Sequence, residues 1–472
     1  MRSKRYLFIS IFLMFLFCLN IGSIGLTKAQ GSDPPQKIRI TSENSFASSV
    51  TITWQTNSES SENDVVYDMV SHSSSIDPLS DYFYSKTGVD FTYDGASGHI
   101  HMASINNLDP DTVYYFRCGG DVGDWSEERL FKTAPTSETN FAFVVGADSR
   151  ALGGNMTLIS QAMAQFSPSF VVHLGDMVTD GDNQAEWDIW FDDVNNNWNG
   201  TNGHTIPIIP ALGNHENNST KYYEQFALPN NEQWYYYDWG NVRMLVLNSD
   251  ASSSQIQTTQ KDWLKTELEN TPQSMWTMVF FHHNVYYSGK HGNRTDLQSY
   301  WVPLFDQYNV SMVFQGHTHH YHRTKLLRNN EIVSINGTVY VTTGAWDAPL
   351  YDVDPQAYTA HGNKTYHFVL MNVTDDFLYL DAKDSSGSTF DYLWLYKNGT
   401  TVGDDIEYDI GNDNGGSDGE NNGGSDGENN GGTNDEPEDQ EPEDALTEEI
   451  ISIPLWWFRF WEWLIRFLSH MI

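Results

Sequence analysis

Phe170-Val171-Val172-His173-Leu174-Gly175-Asp176 is a short apolar run that ends on a glycine and a carboxylate. A run of this length, bounded by a turn residue, reads as a buried strand. The same pattern repeats outward in both directions. Residues 141–145 lead to Gly146-Ala147-Asp148, and 206–212 lead to Gly213-Asn214-His215-Glu216. Residues 276–281 lead to His282, and 311–314 lead to Gly316-His317. Between these runs lie helix-compatible segments at 155–166, 184–195, 255–270 and 296–308, with a hairpin-like stretch at 234–248. Strand–helix alternation predicts an α/β domain, whose sites gather at the carboxyl ends of the strands. Six side chains with metal-binding donors follow those ends: Asp148, Asp176, Asn214, His282, His317 and His319. Hard oxygen and imidazole donors suit divalent metals, and a carboxylate shared between two ions holds them about 3.5–4 Å apart.

The flanks read differently. Residues 34–134 are rich in strand signals: Val50-Thr51-Ile52-Thr53-Trp54 alternates with period two, and Leu108-Asp109-Pro110-Asp111 is a turn before the strand-like 112–116. Short strands over about a hundred residues predict a β-sandwich. Its pattern resembles a fibronectin type III module, with Trp54 and Tyr115 as core aromatics. Beyond residue 330 strands return, most clearly at 339–343, 367–372 and 377–381. They are expected to form the second sheet of a four-layer αββα sandwich, with a catalytic domain spanning 139–410.

The chain has 472 residues and a net charge of -38. Such an acidic protein is not built to coat nucleic acid, whose footprint is basic. Much of the charge is local, because no Lys or Arg occurs from Val402 to Phe458. Residues 411–449 repeat NGGSDGEN and continue into EPEDQEPED, which predicts a disordered acidic linker. Residues 450–472 are dense in Trp and Phe. Arg459, Glu462 and Arg466 fall at helical spacing, so an amphipathic helix on a membrane surface is expected, with a membrane-spanning anchor or a protein-docking tail as the alternatives. At the other end, Arg2, Lys4 and Arg5 precede an apolar run and small residues, so 1–29 reads as a signal peptide and the protein as exported, secreted or held at the cell surface. Loss of Cys18 with that peptide leaves Cys118, expected to be a buried hydrophobe. Sequons such as Asn199, Asn218 and Asn293 permit glycosylation.

The blocks GAD at 146–148, GD at 175–176, GNHE at 213–216, Val279 through His282 to Tyr286, and GHTH at 316–319 occur in an order that resembles the calcineurin-like metallophosphoesterase superfamily. The VxxHxxxY spacing and the N-terminal sandwich are most similar to its purple acid phosphatase branch. The resemblance implies a phosphohydrolase using a metal-bound hydroxide at a dinuclear centre of Fe, Mn, Zn or Mg ions. Asp176 is then the bridge, with Asp148 and His319 on the first ion and Asn214, His282 and His317 on the second. Asn214 also meets the substrate, and His215 is the catalytic group, stabilising the transition state or protonating the leaving-group oxygen. A phosphate monoester is the expected substrate. Alternatives are a phosphodiesterase of nucleotides or lipid headgroups, or a non-enzymatic surface protein on the same fold.

Two positions depart from the family pattern. Arg150 stands where the first block carries His or Gly, and arginine cannot ligate a metal because it stays protonated. It is either a phosphate clamp or the partner of a nearby carboxylate. Thr179 stands where the purple branch carries an iron-binding tyrosine, which leaves the first site short of a ligand. His291, in the loop SGKHGNR, is a further candidate for substrate contact.

Overall fold

A computed structural model describes residues 33–59, 63–120, 125–137, 140–151, 154–403 and 405. The expected signal peptide, acidic linker and aromatic helix lie outside the described residues. Among the described residues, no helix is long and apolar enough to cross a membrane.

The N-terminal module has eight strands: β1 (Gln36–Thr41), β2 (Ser49–Thr56), β3 (Asp64–Asp68), β4 (Tyr84–Thr87), β5 (Val89–Phe91), β6 (His99–Asn106), β7 (Val113–Gly119) and β8 (Arg129–Lys132). They form two antiparallel sheets ordered β1-β2-β6-β5 and β4-β3-β7-β8. Trp54 is buried and stacks on His101 at 5.1 Å between centroids. Tyr115 departs from expectation. Side chains alternate along a strand, and in β7 the inward set is Tyr114, Phe116 and Cys118, with Tyr115 only half-buried. Tyr114 Oη accepts the Asp109 N–H at 3.0 Å and so ties the preceding turn to the strand. Cys118 is buried, and burial pushes its thiol up to about 12.

The second part begins with β9 (Phe141–Gly146), β10 (Val171–His173), β11 (Ile208–Pro210), β12 (Tyr235–Trp239), β13 (Val242–Val246), β14 (Trp276–Phe280) and β15 (Met312–Gln315). It continues with β16 (Tyr321–Thr324), the short hairpin β17 (Leu327–Arg328) and β18 (Glu331–Ile332), β19 (Val339–Thr343), β20 (Thr359–Asn363), β21 (His367–Val373), β22 (Phe377–Asp384), β23 (Thr389–Tyr396) and β24 (Thr401–Gly403). Two seven-stranded sheets result, ordered β11-β10-β9-β21-β22-β23-β24 and β12-β13-β14-β15-β19-β16-β20.

Residue parity shows the layering. Met244, Met278, Phe280, Met312 and Phe314 join the core that contains β9 and β21. Their neighbours Leu245, Val279, Phe281 and Val313 pack instead with Leu264 and Leu268 of the helix Thr259–Glu269 and with Trp301 and Phe305. β13, β14 and β15 thus face the other sheet with one set of side chains and a helical layer with the next. A buried ion pair also crosses between the sheets: Arg323 of β16 donates to both carboxylate oxygens of Asp391 in β23, at 2.7 and 2.9 Å.

Two expectations change in detail. Of the three late strands expected in the second sheet, 339–343 alone belongs to it. β21 pairs antiparallel with β9, so 367–373 and 377–384 extend the first sheet. The helix expected at 296–308 divides at Trp301 into Thr295–Tyr300 and Val302–Gln307, because Pro303 lacks an N–H and can sit only in the first turn of a helix. The sandwich is fastened to the second part through Arg39. Its guanidinium lies 3.9 Å from the Phe191 ring and donates twice to the Gln225 carbonyl, at 3.0 and 2.9 Å.

Candidate metal centre

β9, β10, β14 and β15 run parallel to their sequence-adjacent partners and release the chain on one edge, where the six donor residues meet. The turns that carry them are tight. Asp148, Asp176 and His317 all have left-handed backbones, with φ of 60°, 56° and 66°. For residues with a Cβ this conformation is uncommon, and it clusters at sites where the surrounding structure over-determines it. The adjacent glycines are needed for close approach: a Cβ on Gly213 would stand 2.3 Å from Asp176 Oδ1, and one on Gly316 would stand 2.6 Å from the Ala147 Cβ.

Glu216, the last residue of GNHE, holds two of these turns together. It is fully buried, and its carboxylate accepts the N–H groups of Gly213, Asp176 and Met177 at 2.7, 2.8 and 2.7 Å. Burial and the nearby Asp176 charge push its acid up to about 7, which the Asp176 and Gly213 N–H groups and the His282 charge oppose. In the sequence it stood out only as a member of the GNHE motif.

Around Asp176 the centre has two halves. In one, His282 Nδ1 donates to the Leu174 carbonyl at 2.9 Å, which turns Nε2 inward. Nε2 then lies 3.3 Å from Asp176 Oδ2, 3.1 Å from Asn214 Oδ1 and 3.2 Å from His317 Nδ1. Donor atoms of Asp176, His282 and His317 all lie within 4.8 Å of one another. Burial pulls the His282 imidazole down, but the Asp176 and Asp148 charges outweigh it and raise the group to about 9. His317 is driven the other way by burial and by the neighbouring His282 and His283. Nitrogen and oxygen lone pairs packed this closely, with the His282 tautomer fixed from outside by a carbonyl, fit a bound cation.

The other half contains Asp148 and His319. Asp148 Oδ2 accepts the His317 N–H at 2.8 Å, while its buried Oδ1 has no hydrogen-bond partner among the described residues. His319 Nδ1 donates to the Pro349 carbonyl at 2.9 Å and places Nε2 3.3 Å from Asp148 Oδ1. Arg150 enters this half. Its Nη2 is 2.7 Å from Asp176 Oδ2, 3.3 Å from His319 Nε2 and 3.7 Å from Asp148 Oδ1. Of the two roles left open for Arg150, the carboxylate partner is the one present. Thr179 turns its Oγ1 to the Arg150 carbonyl at 3.0 Å. This half therefore already holds a cation, and the residues fit a metal ion poorly.

His215 lies at the open side, its side chain 30% exposed. Its N–H donates to Asp176 Oδ1 at 2.9 Å, and its Nδ1 donates to the Thr179 carbonyl at 2.5 Å. Nε2 is left facing the centre, 4.0 Å from Asp176 Oδ2. The His291 ring lies 4.3 Å from that of His317, so its loop does reach the site. Tyr351, which the sequence did not mark, stacks on His319 at 4.2 Å with a 17° interplanar angle, and the Lys290 ammonium sits 4.0 Å over the same ring. Other histidines are supports. His283 bonds Ser249, His320 bonds Ser288, His322 bonds Thr359, and His173 lies under the strand end on Ser149.

Comparison with known proteins gives a consistent picture. Residues 35–133 match the purple acid phosphatase N-terminal domain, and residues 105–321 match the calcineurin-like phosphoesterase domain. The Fe(3+)-Zn(2+) purple acid phosphatase 12 of Arabidopsis thaliana is 26% identical over 351 residues, covering 66% of this chain and 72% of the relative. Purple acid phosphatase 1 of Ipomoea batatas is 24% identical over 416 residues, covering 77% and 84%. An uncharacterized protein of Mycobacterium tuberculosis is 29% identical over 277 residues, which is 48% of this chain. The chain spans about half (51%) of that relative's length. A purple acid phosphatase from yellow lupin seeds superposes with a TM-score of 0.65 at 19% identity, over 78% of this chain and 74% of its own. At that identity the structural likeness speaks for the fold.

Proposed function

We propose that this chain, which belongs to the purple acid phosphatase-like branch of the calcineurin-like metallophosphoesterases, is a metal-dependent hydrolase of phosphate monoesters. The observation that carries the reading is the convergence of Asp176, Asn214, His282 and His317 beside an exposed His215. A cation held by those four residues would supply Lewis-acid polarisation of a phosphoryl oxygen and a nucleophile at moderate pH. The other work falls to the protein. The Leu174 carbonyl fixes the His282 tautomer, and Glu216 fixes the two turns that carry Asp176 and Asn214. His215, its Nδ1 committed to the Thr179 carbonyl, keeps Nε2 for a proton on the leaving-group oxygen. His291 and Asn214 border the space in which the ester would sit.

The test is hydrolysis of p-nitrophenyl phosphate and bis-p-nitrophenyl phosphate, side by side, with Mn, Zn, Fe or Mg supplied. Monoester turnover at least tenfold above diester turnover is expected. A diester preference overturns the monoesterase reading, and inertness towards both makes the fold a binding module. We further propose export, from the leader-like 1–29, and membrane attachment through 450–472. Deletion of 450–472 should release the protein from membranes with activity unchanged, and unchanged partition would remove that proposal.

A further inference from the structure

We infer that Arg150 is a built-in cation that takes the place of the first metal ion, so that the protein binds one ion per chain, at Asp176, Asn214, His282 and His317. The inference rests on the reading of this centre as a metal site. Four observations carry it.

The first is position. One guanidinium nitrogen lies 2.7, 3.3 and 3.7 Å from Asp176 Oδ2, His319 Nε2 and Asp148 Oδ1, the three groups that would hold the first ion. The second is charge. Asp148 and Asp176 are both fully buried and need a positive partner. A guanidinium stays protonated and offers no lone pair, so it neutralises the carboxylates without ligating a metal, and it repels a second cation placed against it.

The third observation is the backbone. Arg150 has a φ of 54°, a conformation glycine adopts freely and other residues rarely. Its N–H donates to the Asp176 carbonyl at 3.1 Å, and its carbonyl accepts from Thr179 Oγ1 at 3.0 Å, so the strained conformation is clamped from both sides. The side chain is therefore aimed into the centre by backbone geometry, with only 12% of it exposed. The fourth is the ligand count. Thr179 faces away onto that carbonyl, so nothing replaces the donor a tyrosine would have given. Among the described residues, the trio with metal spacing is Asp176, His282 and His317.

The test is metal stoichiometry. The full chain is stripped with chelator and dialysed against Mn(II), then read by elemental analysis, titration calorimetry and electron paramagnetic resonance. Wild type is expected to hold one ion with the six-line signal of isolated Mn(II). Arg150→Gly, which relieves the left-handed strain and should fold, is expected to hold two ions with an exchange-coupled signal. Arg150→Gln, which keeps the side-chain bulk without the charge, should gain a weaker second site, and circular dichroism checks both folds. Two coupled ions in wild type, no ion in wild type, or one ion in both folded variants would overturn the inference. One ion in a wild type that hydrolyses neither ester removes the proposed activity and leaves this inference standing. Two ions with full monoester turnover does the reverse.

Discussion

The two halves of the centre share Asp176 and the same kind of strand-end turn, yet they are finished differently. On the His282 side, the donor atoms of Asn214, His282 and His317 converge, with the His282 tautomer set by a backbone carbonyl. On the Asp148 side the anionic charge is greater, but a protein cation already answers it. The difference shows that a ligand set is defined by what stands among the ligands as much as by the ligands themselves. Asp148, Asp176 and His319 suffice for a metal on paper. Arg150 changes what they can bind.

The largest effect should come from the shared residue. Asp176→Asn removes the charge that His282, Arg150 and His215 all face, and burial opposes that charge only in part. Loss of bound metal and a fall in kcat/KM on the order of 10³ are expected, as for removal of a principal transition-state stabiliser. Metal retention with near-normal turnover would mean that the halves do not meet at Asp176.

The next test separates them. His282→Ala should abolish stoichiometric metal binding, whereas His319→Ala should leave one ion per chain and lower turnover by about tenfold, as for groups acting through a neighbour. Elemental analysis of both proteins decides it. Equal metal loss in the two variants would break the asymmetry.

How far the centre was legible in the sequence follows the same division. All six donors could be read because each stands at or just beyond the end of an apolar run, in the local blocks GAD, GD, GNHE, FFH and GHTH, and the structure brings them together. The sandwich and the α/β domain were legible through periodicity, which is also local. What depends on distant pairing was not. The antiparallel addition of β21 to β9 joins segments more than two hundred residues apart and leaves no mark in either. Tyr351 reaches His319 only because a β-bridge joins Gly289 to Val353 and the Tyr351 N–H donates to the His319 carbonyl. The buried Arg323–Asp391 pair and the Arg39 fastening are long-range in the same way. Arg150 was visible as a departure, but only its position shows what it displaces.

Acidification offers a comparison between the centre and its surroundings. His204, His322 and His367 lie outside both halves, and burial, in each the largest cause, pushes them down to about 4, 3 and 4. The unfolded chain takes up protons at these groups below its ordinary histidine value of about 6.5, while the folded chain refuses them until near pH 4. Stability contributed by the neutral rings is therefore full above pH 6.5 and declines as pH falls towards 4, by up to about 1.4 kcal/mol per group per pH unit. Thermal denaturation of the metal-free protein at pH 7.5, 5.5 and 4.5 should show this loss. His322→Gln, which retains a donor for Thr359, should make the decline shallower. A melting temperature that rises on acidification would show that the carboxylates of the centre, relieved of repulsion, outweigh the buried histidines.

The smallest expected effect is at Tyr351, and it tests whether the Arg150 half still matters once it holds no metal. The ring is stacked on His319 on one face and covered by Lys290 on the other. It therefore has no face left for substrate, and its influence passes through the orientation of His319. A stacked ring pair contributes about 0.5–1.5 kcal/mol beyond its burial, so Tyr351→Leu should lower kcat/KM about two- to tenfold. The bound ion should remain, because His319 belongs to the half that Arg150 fills. The effect should appear in kcat rather than KM, since the imidazole is displaced from the charge around Asp148 and not from a ground-state substrate contact. If Tyr351→Leu released the ion, His319 would be a ligand after all, and the division between the two halves would fail at the residue where it is drawn most finely.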